Sequence, residues 1–345
     1  MISLLIVNYR SAALAAGAIS SARAASVEPL QVVVVDNSCD AREADALRVH
    51  ADVLIVSGRN RGYAGAINDG RRVCTAGTIV ISNPDVTFKA GSIDALVAPI
   101  DDRTAVTGPA LFWDDACEWF LPPADLHTGP EVFAAAVASR SSRLSRIRDR
   151  NRILRRIAFW TLQQLTPVNS ISGAVMAVSA EAFDAVGGFD ERFFLYFEET
   201  DFLRRLSEQR RRIVYVPSAK CRHLYNQSAS QSSEAPALYA SSEQRYLEKW
   251  NGPFVARTLS RIRRPPRMPP AEDLSGPLDR SDLDVVIEAS PLSSFETAAG
   301  CFPRQMRVEI PPEVWRTYRG DSLYLRVVKR DTAEVLATYR RRTDD

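Results

Sequence analysis

Carboxylate and amide side chains follow short apolar segments at several points of the chain. Asp36 follows four consecutive valines, and Asp85 ends the run Asn83-Pro84-Asp85 behind another apolar segment. A carboxylate at the position of Asp36 either accepts an N–H group of a bound base or closes an Asx turn, and the residues alone favour neither. Asp85 projects beyond the turn that Pro84 fixes. It either binds Mg²⁺ or Mn²⁺, which prefer oxygen ligands, or only completes that turn.

A second acidic group lies in a run that begins at Gly187-Gly188 and ends with Glu198, Glu199 and Asp201. Acids at the start of a helix suit the helix dipole, so capping alone would explain them. Capping does not explain the aromatic run directly before them. An apolar wall beside a carboxylate raises its pKa and makes it a better base near neutral pH. His223 is interpreted either as structural or, with an acidic metal site nearby, as a ligand.

Two glycines, Gly62 and Gly65, stand at the predicted entrance to a helix within the segment 60–68. Small residues there allow the backbone to approach an anion at the helix N-terminus. The segment is neither GxGxxG nor a Walker A motif, and no such fingerprint follows the first predicted strand. This argues against a nicotinamide enzyme and against a P-loop NTPase.

The elements that must position these residues alternate between strand and helix. Short runs of branched residues predict buried strands at 2–7, 30–35, 52–56 and 78–82, with helices at 11–25 and 66–73 between them. This pattern is typical of an α/β protein with an open, mostly parallel sheet and helices on its faces. Ligands bind at the carboxyl ends of such strands, so Asn8, Asp36 and Asp85 are expected to converge.

The following region is less regular over 101–130 and then becomes rich in arginine. A helix is predicted over 139–165, with arginines mostly on its other faces. Its expected apolar stripe consists of Leu144, Ile147, Leu154, Ala158, Thr161 and Leu165. Further strands are predicted at 171–178 and 212–216, the latter ending at Pro217, and helices at 180–186, 198–209 and 237–250.

Proline and arginine concentrate after residue 258, and the pattern then changes to alternating strands. We therefore predict three parts: an α/β domain over 1–258, a stiff linker over 259–274 and a small all-β domain over 275–345. The last part carries no motif, and carbohydrate binding and assembly into a homo-oligomer both stay open for it.

Composition excludes several classes of protein. The 345 residues are 46% hydrophobic and 25% charged with a net charge of +2, which excludes a disordered chain, a fibre and a polytopic membrane protein. Five scattered cysteines indicate reduced thiols rather than a disulfide framework or zinc site. The N-terminal apolar run is too short for a signal peptide, so a cytoplasmic protein is expected, with contact to the inner face of the membrane still open.

Taken in order, the motifs resemble those of the inverting GT-A glycosyltransferases of family 2, and most closely the rhamnosyltransferase-like branch. The resemblance covers about 1–255. The matching pieces are Val7-Asn8-Tyr9, Val35-Asp36-Asn37-Ser38, Asn60-Arg61-Gly62-Tyr63-Ala64, Asn83-Pro84-Asp85, Ser172-Gly173-Ala174, Gly188-Phe189-Asp190-Glu191, Glu198-Glu199-Thr200-Asp201-Phe202 and His223.

The resemblance implies a GT-A fold, a nucleotide-sugar donor, a divalent metal (Mg²⁺ or Mn²⁺) and transfer of a sugar with inversion. It places the catalytic base at Glu199 and metal ligands at Asp85 and His223. Asp36 would read a uracil or thymine edge, and Asn83 would contact the ribose. The donor-binding positions it implies are Asn8, Asp36, Asn37, Arg61, Gly62, Asn68, Asn83, Asp85 and Gly173, and the acceptor positions are Trp113, Glu198 and Asp201.

Two residues depart from the family pattern. Glu199 stands where the family usually has Asp, and Asn226 stands where it often has Gly. These departures leave a second hypothesis open, in which the chain is a catalytically weakened GT-A fold that binds carbohydrate or nucleotide-sugar. The retained Asp36, Asp85 and His223 favour the enzyme, a hexosyltransferase of polysaccharide or other glycan biosynthesis.

The expected acceptor is a hydroxyl of a glycan, a lipid-linked sugar or a small molecule. The arginine-rich segment 139–165 is either a solvated helix or a basic amphipathic helix at an anionic membrane that holds a lipid-linked acceptor. Nucleic acid is not expected as a partner, because the overall charge is near neutral and no nucleic-acid motif is present.

Overall fold

The computed structural model describes residues 1–124, 127–224, 234–262, 270–279, 284–318 and 320–342. The strands are β1 Ile2–Asn8, β2 Leu30–Asp36, β3 Val53–Val56, β4 Thr78–Ser82, β5 Val86–Phe88, β6 Thr104–Phe112, β7 Trp119–Phe120, β8 Thr166–Val168, β9 Val175–Ser179, β10 Arg212–His223, β11 Glu272–Asp273, β12 Leu278–Asp279, β13 Val285–Ser290, β14 Ala299–Cys301, β15 Arg307–Val308, β16 Ser322–Lys329 and β17 Val335–Arg342.

The helices are α1 Ala12–Ala24, α2 Ala41–Arg48, α3 Gly62–Arg71, α4 Ser92–Val97, α5 Gly129–Ala138, α6 Ser142–Trp160, α7 Ala180–Ala185, α8 Glu198–Glu208, α9 Ala235–Asn251, α10 Pro253–Ile262 and α11 Pro312–Thr317. Among the described residues, no helix combines the length and the apolar character needed to cross a membrane.

A parallel core of four strands positions the N-terminal polar residues. β1 lies between β2 and β4, and β3 pairs with β2, all in parallel. β9 and β6 extend the sheet in antiparallel fashion, and β10 runs parallel to β6. The predicted strands of the parallel core match the observed ones within about two residues, since continuous runs of Val and Ile fit only a strand buried on both faces.

Hydrophobic side chains fill both faces of this sheet. On one face α1 and α4 pack against it, with Ile19, Ile93 and Leu96 fully buried. On the other face Ile67 of α3 meets Phe183 of α7 and Phe202 of α8. The expected architecture of a sheet between two helical layers is confirmed.

Four elements of the middle region were not predicted, namely β6, β7, α5 and β8. β6 occupies nine residues of the segment expected to be irregular. No strand was predicted there because Gly108-Pro109 interrupts its apolar pattern. α5 also lies outside the predicted helix, which begins at Ser142 rather than at residue 139.

The predicted end of the strand at Pro217 was wrong. β10 continues to His223, and its register with β6 shifts between Val216 and Lys220. Proline cannot donate to the ladder, and a bulge accommodates it without ending the strand.

The predicted apolar stripe of the arginine-rich helix was on the wrong face. Leu144, Ile147 and Leu165 are exposed, whereas Ile153, Ile157 and Trp160 are buried against the C-terminal strands. Periodicity fixes the angle between apolar residues, but it does not choose between two stripes on one helix.

The C-terminal strands do not form an isolated sheet. β14 pairs with β7, and the order β11-β17-β16-β13-β14-β7-β6 joins them to the N-terminal sheet. A domain boundary at residue 275 stays a prediction, and residues 263–269 of the predicted linker lie outside the described residues.

A buried ion-pair network ties α6 to these strands. Glu288 of β13 is fully buried and contacts Arg156 of α6 at 2.7 Å and Arg326 of β16 at 2.5 Å. Arg326 also pairs with Asp149 of α6 at 2.7 Å. The two arginines share one buried carboxylate, so each buried charge has an opposite charge beside it.

We expect Glu288→Ala to lower the free energy of unfolding by about 3 kcal/mol, because it leaves two buried guanidinium groups without their shared partner. Glu309→Ala, which removes a glutamate from an exposed pair with Arg307, is the matched control and should change little. Urea denaturation measures both variants. Equal stability of the two would contradict a stabilising role for the network.

Candidate functional site

The carboxyl ends of β1 and β2 bring the first two polar residues together. Asn8 and Asp36 are register partners on neighbouring strands. The Asn8 Nδ2 group donates to Asp36 Oδ1 at 2.9 Å and to Glu43 Oε2 at 3.0 Å, and its Oδ1 accepts from Ser11. The side chain of Asn8 is thus fully used in orienting Asp36.

Asp36 retains one carboxylate oxygen that has no partner within the protein. Its Oδ1 accepts from Asn8 and from the backbone N–H of Ser38 at 3.1 Å, whereas Oδ2 is buried and makes no hydrogen bond. An unpaired buried acceptor costs free energy unless a ligand or water satisfies it. Oδ2 can therefore accept an N–H group from a ligand.

Asn37 fixes the turn that leads into α3. Its Nδ2 donates to Asn60 Oδ1 at 2.8 Å and to the Gly62 carbonyl at 3.1 Å, and its Oδ1 accepts from the Arg61 N–H at 2.9 Å. Gly62 has a φ of 72°, and a Cβ there would collide with the Phe194 carbonyl. Glycine is required at this point because the turn presses against the loop before α8.

Arg61 and Asn68 hold the segment after Gly188 against α3. Arg61 pairs with Asp69 at 3.2 Å and with Glu191 at 2.9 Å. The Asn68 amide donates to the Phe189 carbonyl and accepts from the Phe189 N–H, both at 2.9 Å. In the structure both side chains thus position the loop that carries the acidic residues.

Asp85 and His223 lie side by side although 138 positions separate them in the sequence. β10 pairs with β5 so that His223 faces Val86, the neighbour of Asp85. His223 Nε2 lies 3.3 Å from Asp85 Oδ1, and both side chains are mostly buried. The strand that passes through Pro217 thus delivers His223 to this carboxylate.

Burial and the neighbouring His223 have opposite effects on the pKa of the Asp85 carboxylate. Burial raises its pKa, but the charge and hydrogen bonding of His223 outweigh burial, and the net effect lowers the pKa of Asp85. Within the described ranges, no three His, Cys, Asp or Glu side chains form a cluster that could hold a metal. One oxygen and one nitrogen ligand suit a cation that takes its other ligands from substrate and water.

Asn83 joins this corner to the next. Its backbone N–H donates to the Ala174 carbonyl at 2.8 Å, and its side chain is half-buried. The Ser172-Gly173-Ala174 segment therefore lies directly beside the turn at Asp85.

Two consecutive residues in the left-handed region introduce α8. Tyr196 has a φ of 70° and Phe197 a φ of 69°, and neither is glycine. A left-handed backbone conformation costs free energy at residues other than glycine. Aromatic packing stabilises it here, because Phe197 lies in a cluster with Phe193 and Tyr246. This turn places Glu198 and Glu199 in the first turn of the helix.

Glu198 and Glu199 are a pair of carboxyl groups with unused oxygens. The Oε2 atom of each is buried and lacks a hydrogen bond. Burial raises the pKa of both, and the neighbouring Glu199 raises that of Glu198 further, well above its usual 4.5. A Cβ at Gly173 would lie 3.0 Å from Glu199 Cγ, so only glycine leaves the Glu199 side chain its full space.

The other predicted acceptor residues are held inside the protein. Asp201 accepts from Arg205 Nε at 2.8 Å and Trp250 Nε1 at 2.9 Å, and Lys249 pairs with it at 2.6 Å. Trp113 is 1% exposed in the hydrophobic cluster of the C-terminal strands. Neither side chain offers a surface to an acceptor in this structure. Asn226 lies outside the described residues.

Sequence reasoning missed Tyr63 and Glu43. The Tyr63 hydroxyl is buried without a hydrogen bond, and burial together with Glu198, Glu199 and Asp85 raises its pKa. Glu43 accepts from Asn8 and from the Ala12 N–H. Neither residue stands in a pattern that predicts a site: Tyr63 is in a helix rich in small residues, and Glu43 is in a polar one. Tyr63 does belong to the Asn60-Arg61-Gly62-Tyr63-Ala64 motif.

Comparison with known proteins identifies the family. Residues 3–171 match the model of glycosyl transferase family 2, and residues 156–227 match the model of the N-terminal domain of galactosyltransferase. The first half of the chain is a glycosyltransferase family 2 domain. Together the two matches include every candidate donor, base and metal position from Asn8 to His223. The glycosyltransferase interpretation and the GT-A fold are thereby confirmed, and the weakened binding protein is not favoured.

Relatives of known function are glycosyltransferases of Mycobacterium tuberculosis. The chain is 29% identical over 228 residues to an N-acetylglucosaminyl-diphospho-decaprenol L-rhamnosyltransferase, covering 59% of this chain and 70% of that one. It is 26% identical over 202 residues to a pre-mycofactocin glycosyltransferase, covering 57% and 38%. A Pyrobaculum calidifontis mannosyltransferase structure is 16% identical, with a TM-score of 0.44, covering 76% of this chain and 73% of that one.

We expect Glu198→Gln to stabilise the protein at about pH 8 but not near pH 4.5. In the wild type, the folded protein holds the Glu198 proton more tightly than the unfolded chain does. This contribution to wild-type stability is present below the usual pKa of glutamate and is lost as pH rises through the folded pKa. Glutamine is neutral throughout. Thermal unfolding across this pH range tests the prediction, with Glu208→Gln at the exposed end of α8 as control. A difference between variant and wild type that is independent of pH would contradict it.

Proposed function

We propose that this chain transfers a sugar, with inversion, from a pyrimidine nucleoside-diphosphate donor to a hydroxyl of a lipid-linked glycan. One observation carries the proposal: Glu199 has a buried carboxylate oxygen without a hydrogen bond, and its side chain lies against Gly173. The next residue, Ala174, accepts a hydrogen bond from Asn83, in the turn that carries Asp85. The segment 172–174 thus links a carboxylate with unused acceptor capacity to the turn that carries Asp85. In an inverting transfer the first group takes the proton of the hydroxyl, and the second, through its cation, offsets the charge of the departing diphosphate.

Asp36 is the proposed contact for the pyrimidine base of the nucleotide-sugar donor. Its unpaired Oδ2 suits the single N–H of uracil or thymine, and Asn8 holds the carboxylate in place. Asn83 is assigned to the ribose. A methyl group alone separates the two pyrimidines, so UDP- and dTDP-sugars both fit, and rhamnose is the favoured sugar because of the rhamnosyltransferase relative.

Asp85 and His223 would hold Mg²⁺ or Mn²⁺ together with the donor diphosphate. The buried Asp85 Oδ1, which lies 3.3 Å from His223 Nε2, fits such an ion. The bound cation would supply positive charge beside the departing diphosphate.

Glu199 acts as the general base. Its carboxylate accepts the proton of the acceptor hydroxyl while that oxygen forms a bond to the anomeric carbon. The bond from that carbon to the diphosphate oxygen breaks, and attack from the opposite face inverts the configuration. A raised pKa makes Glu199 a stronger base near neutral pH than an exposed carboxylate. Glutamate instead of the usual aspartate extends the base by one methylene.

The acceptor is proposed from the relative, whose name specifies N-acetylglucosamine on a decaprenyl diphosphate. A polyprenyl-diphosphate sugar would place the reaction at a membrane surface, on the cytoplasmic side where nucleotide-sugars are made. The chain would then act in polysaccharide biosynthesis as a peripheral protein.

We expect the wild type to bind UDP or dTDP with Mn²⁺, and Asp85→Ala or addition of EDTA to weaken binding at least about tenfold. Asp184→Ala, at an exposed pair with Arg71, is the control and should bind as the wild type does. Titration calorimetry with UDP, dTDP and GDP is the measurement. Failure of every nucleotide to bind, with or without metal, would overturn the proposed function.

Glu199→Gln should lower kcat by a factor of about 10² to 10⁴ and leave donor affinity unchanged. The assay uses dTDP-rhamnose and a polyprenyl-diphosphate N-acetylglucosamine acceptor, and NMR of the product reports the anomeric configuration. Glu208→Gln on the same helix is the control. If donor affinity fell as far as turnover, Glu199 would hold the donor and would not be the base.

A further inference from the structure

Three helices, α5, α6 and α10, form one layer on the surface of the glycosyltransferase domain. Val132 of α5 packs with Ala256 and Leu259 of α10. Arg140, just after α5, donates to the Ile262 carbonyl at the end of α10, and Arg155 of α6 pairs with Glu131 of α5 at 3.7 Å. These contacts make α5 the middle helix of the layer.

The outer side of this layer is apolar at several positions. Phe254 is 82% exposed and Phe133 is 55% exposed. Val137 lies one turn after Phe133 on α5, and this stripe is about 100° around the helix from the buried Val132 and Ala136. The exposed apolar side chains of the layer are Phe133, Val137, Leu144, Ile147, Phe254 and Val255.

The same surface carries mostly positive charge. Arginines at its surface are Arg140, Arg143, Arg146, Arg257 and Arg261. The sequence of the three helices contains two acids, Glu131 and Asp149, and an arginine engages each of them. The layer is therefore positive, and its arginines alternate with exposed apolar side chains.

We propose that the α5–α6–α10 layer is a contact surface for an anionic lipid bilayer. A solvated helix gains nothing from exposed phenylalanines, and the phosphates of duplex DNA are bound by cationic and polar side chains rather than by exposed aliphatic ones such as Leu144 and Ile147. A bilayer takes both, since apolar side chains enter the acyl boundary while arginines meet anionic headgroups.

The position of α5 gives this contact a role, which rests on the proposed function. His127 stands next to Thr128, the N-cap of α5, and its ring lies 4.9 Å from that of Phe197. Phe197 is the residue directly before Glu198 and Glu199. A bilayer under α5 would thus hold the sugar of a lipid-linked acceptor at the end of the layer nearest the base.

Sedimentation with vesicles tests the contact in the full chain, without any substrate. Vesicles of phosphatidylcholine with one quarter phosphatidylglycerol should bind the wild type, and pure phosphatidylcholine vesicles much less. Arg143→Gln with Arg146→Gln, and separately Phe133→Ser with Phe254→Ser, should each weaken binding about tenfold or more. Arg48→Gln with Arg72→Gln, and Leu292→Ser with Leu336→Ser, are exposed controls elsewhere that should bind as the wild type does.

Wild-type protein that does not bind anionic vesicles, or layer variants that bind as well as their controls, would overturn the proposal. Binding of duplex DNA in place of vesicles would also overturn it and would indicate a nucleic-acid surface. If the phenylalanine pair impairs folding, the arginine pair decides, because its side chains lie at the surface. Nucleotide calorimetry on the same variants reports the donor site separately, so failure of the membrane contact is distinguishable from failure of the proposed function.

Discussion

Two neighbouring glutamates enter the protein interior together at the first turn of α8, and the elements around them are arranged to hold them there. Desolvation of adjacent carboxyl groups is unfavourable, and no cation in the described residues pairs with either. The left-handed turn at Tyr196 and Phe197 adds backbone strain. Aromatic packing around Phe197 and the ion pairs of Asp201 one turn later offset these costs by fixing the helix. Local stability is thus given up at the residue proposed as the base.

The convergence of Asn8 and Asp36 at one edge of the sheet could be predicted from the sequence, and the reason is physical. β1, β2 and β4 are buried on both faces, so their apolar runs are continuous, and parallel strands must bring their carboxyl ends to one edge. The contact of His223 with Asp85 was anticipated only through the family resemblance. It depends on a bulge that carries β10 past a proline, and the local pattern indicated an end to the strand at that proline.

The arginine-rich helix shows what local pattern cannot supply. Its two apolar stripes, one containing Leu144 and Ile147 and one containing Ile153 and Ile157, are equivalent in sequence. The buried stripe packs against Val286 and Val328 of the C-terminal strands, where Arg156 also pairs with Glu288. A long-range ion pair leaves no periodic signal, so the buried face of α6 becomes visible only in three dimensions. The half of α6 that the C-terminal strands do not cover is the half left for another partner.

The packing of α6 against the C-terminal strands limits which parts of the chain could be exchanged independently. Gly300 of β14 lies so close to the ring of Trp160 that no larger residue fits there, and Glu288 needs an arginine from the same helix. A recombination event that exchanged only the C-terminal strands would leave a buried charge and a tryptophan without their partners. An exchange of those strands would therefore have to include α6, although more than a hundred residues separate the two in the sequence.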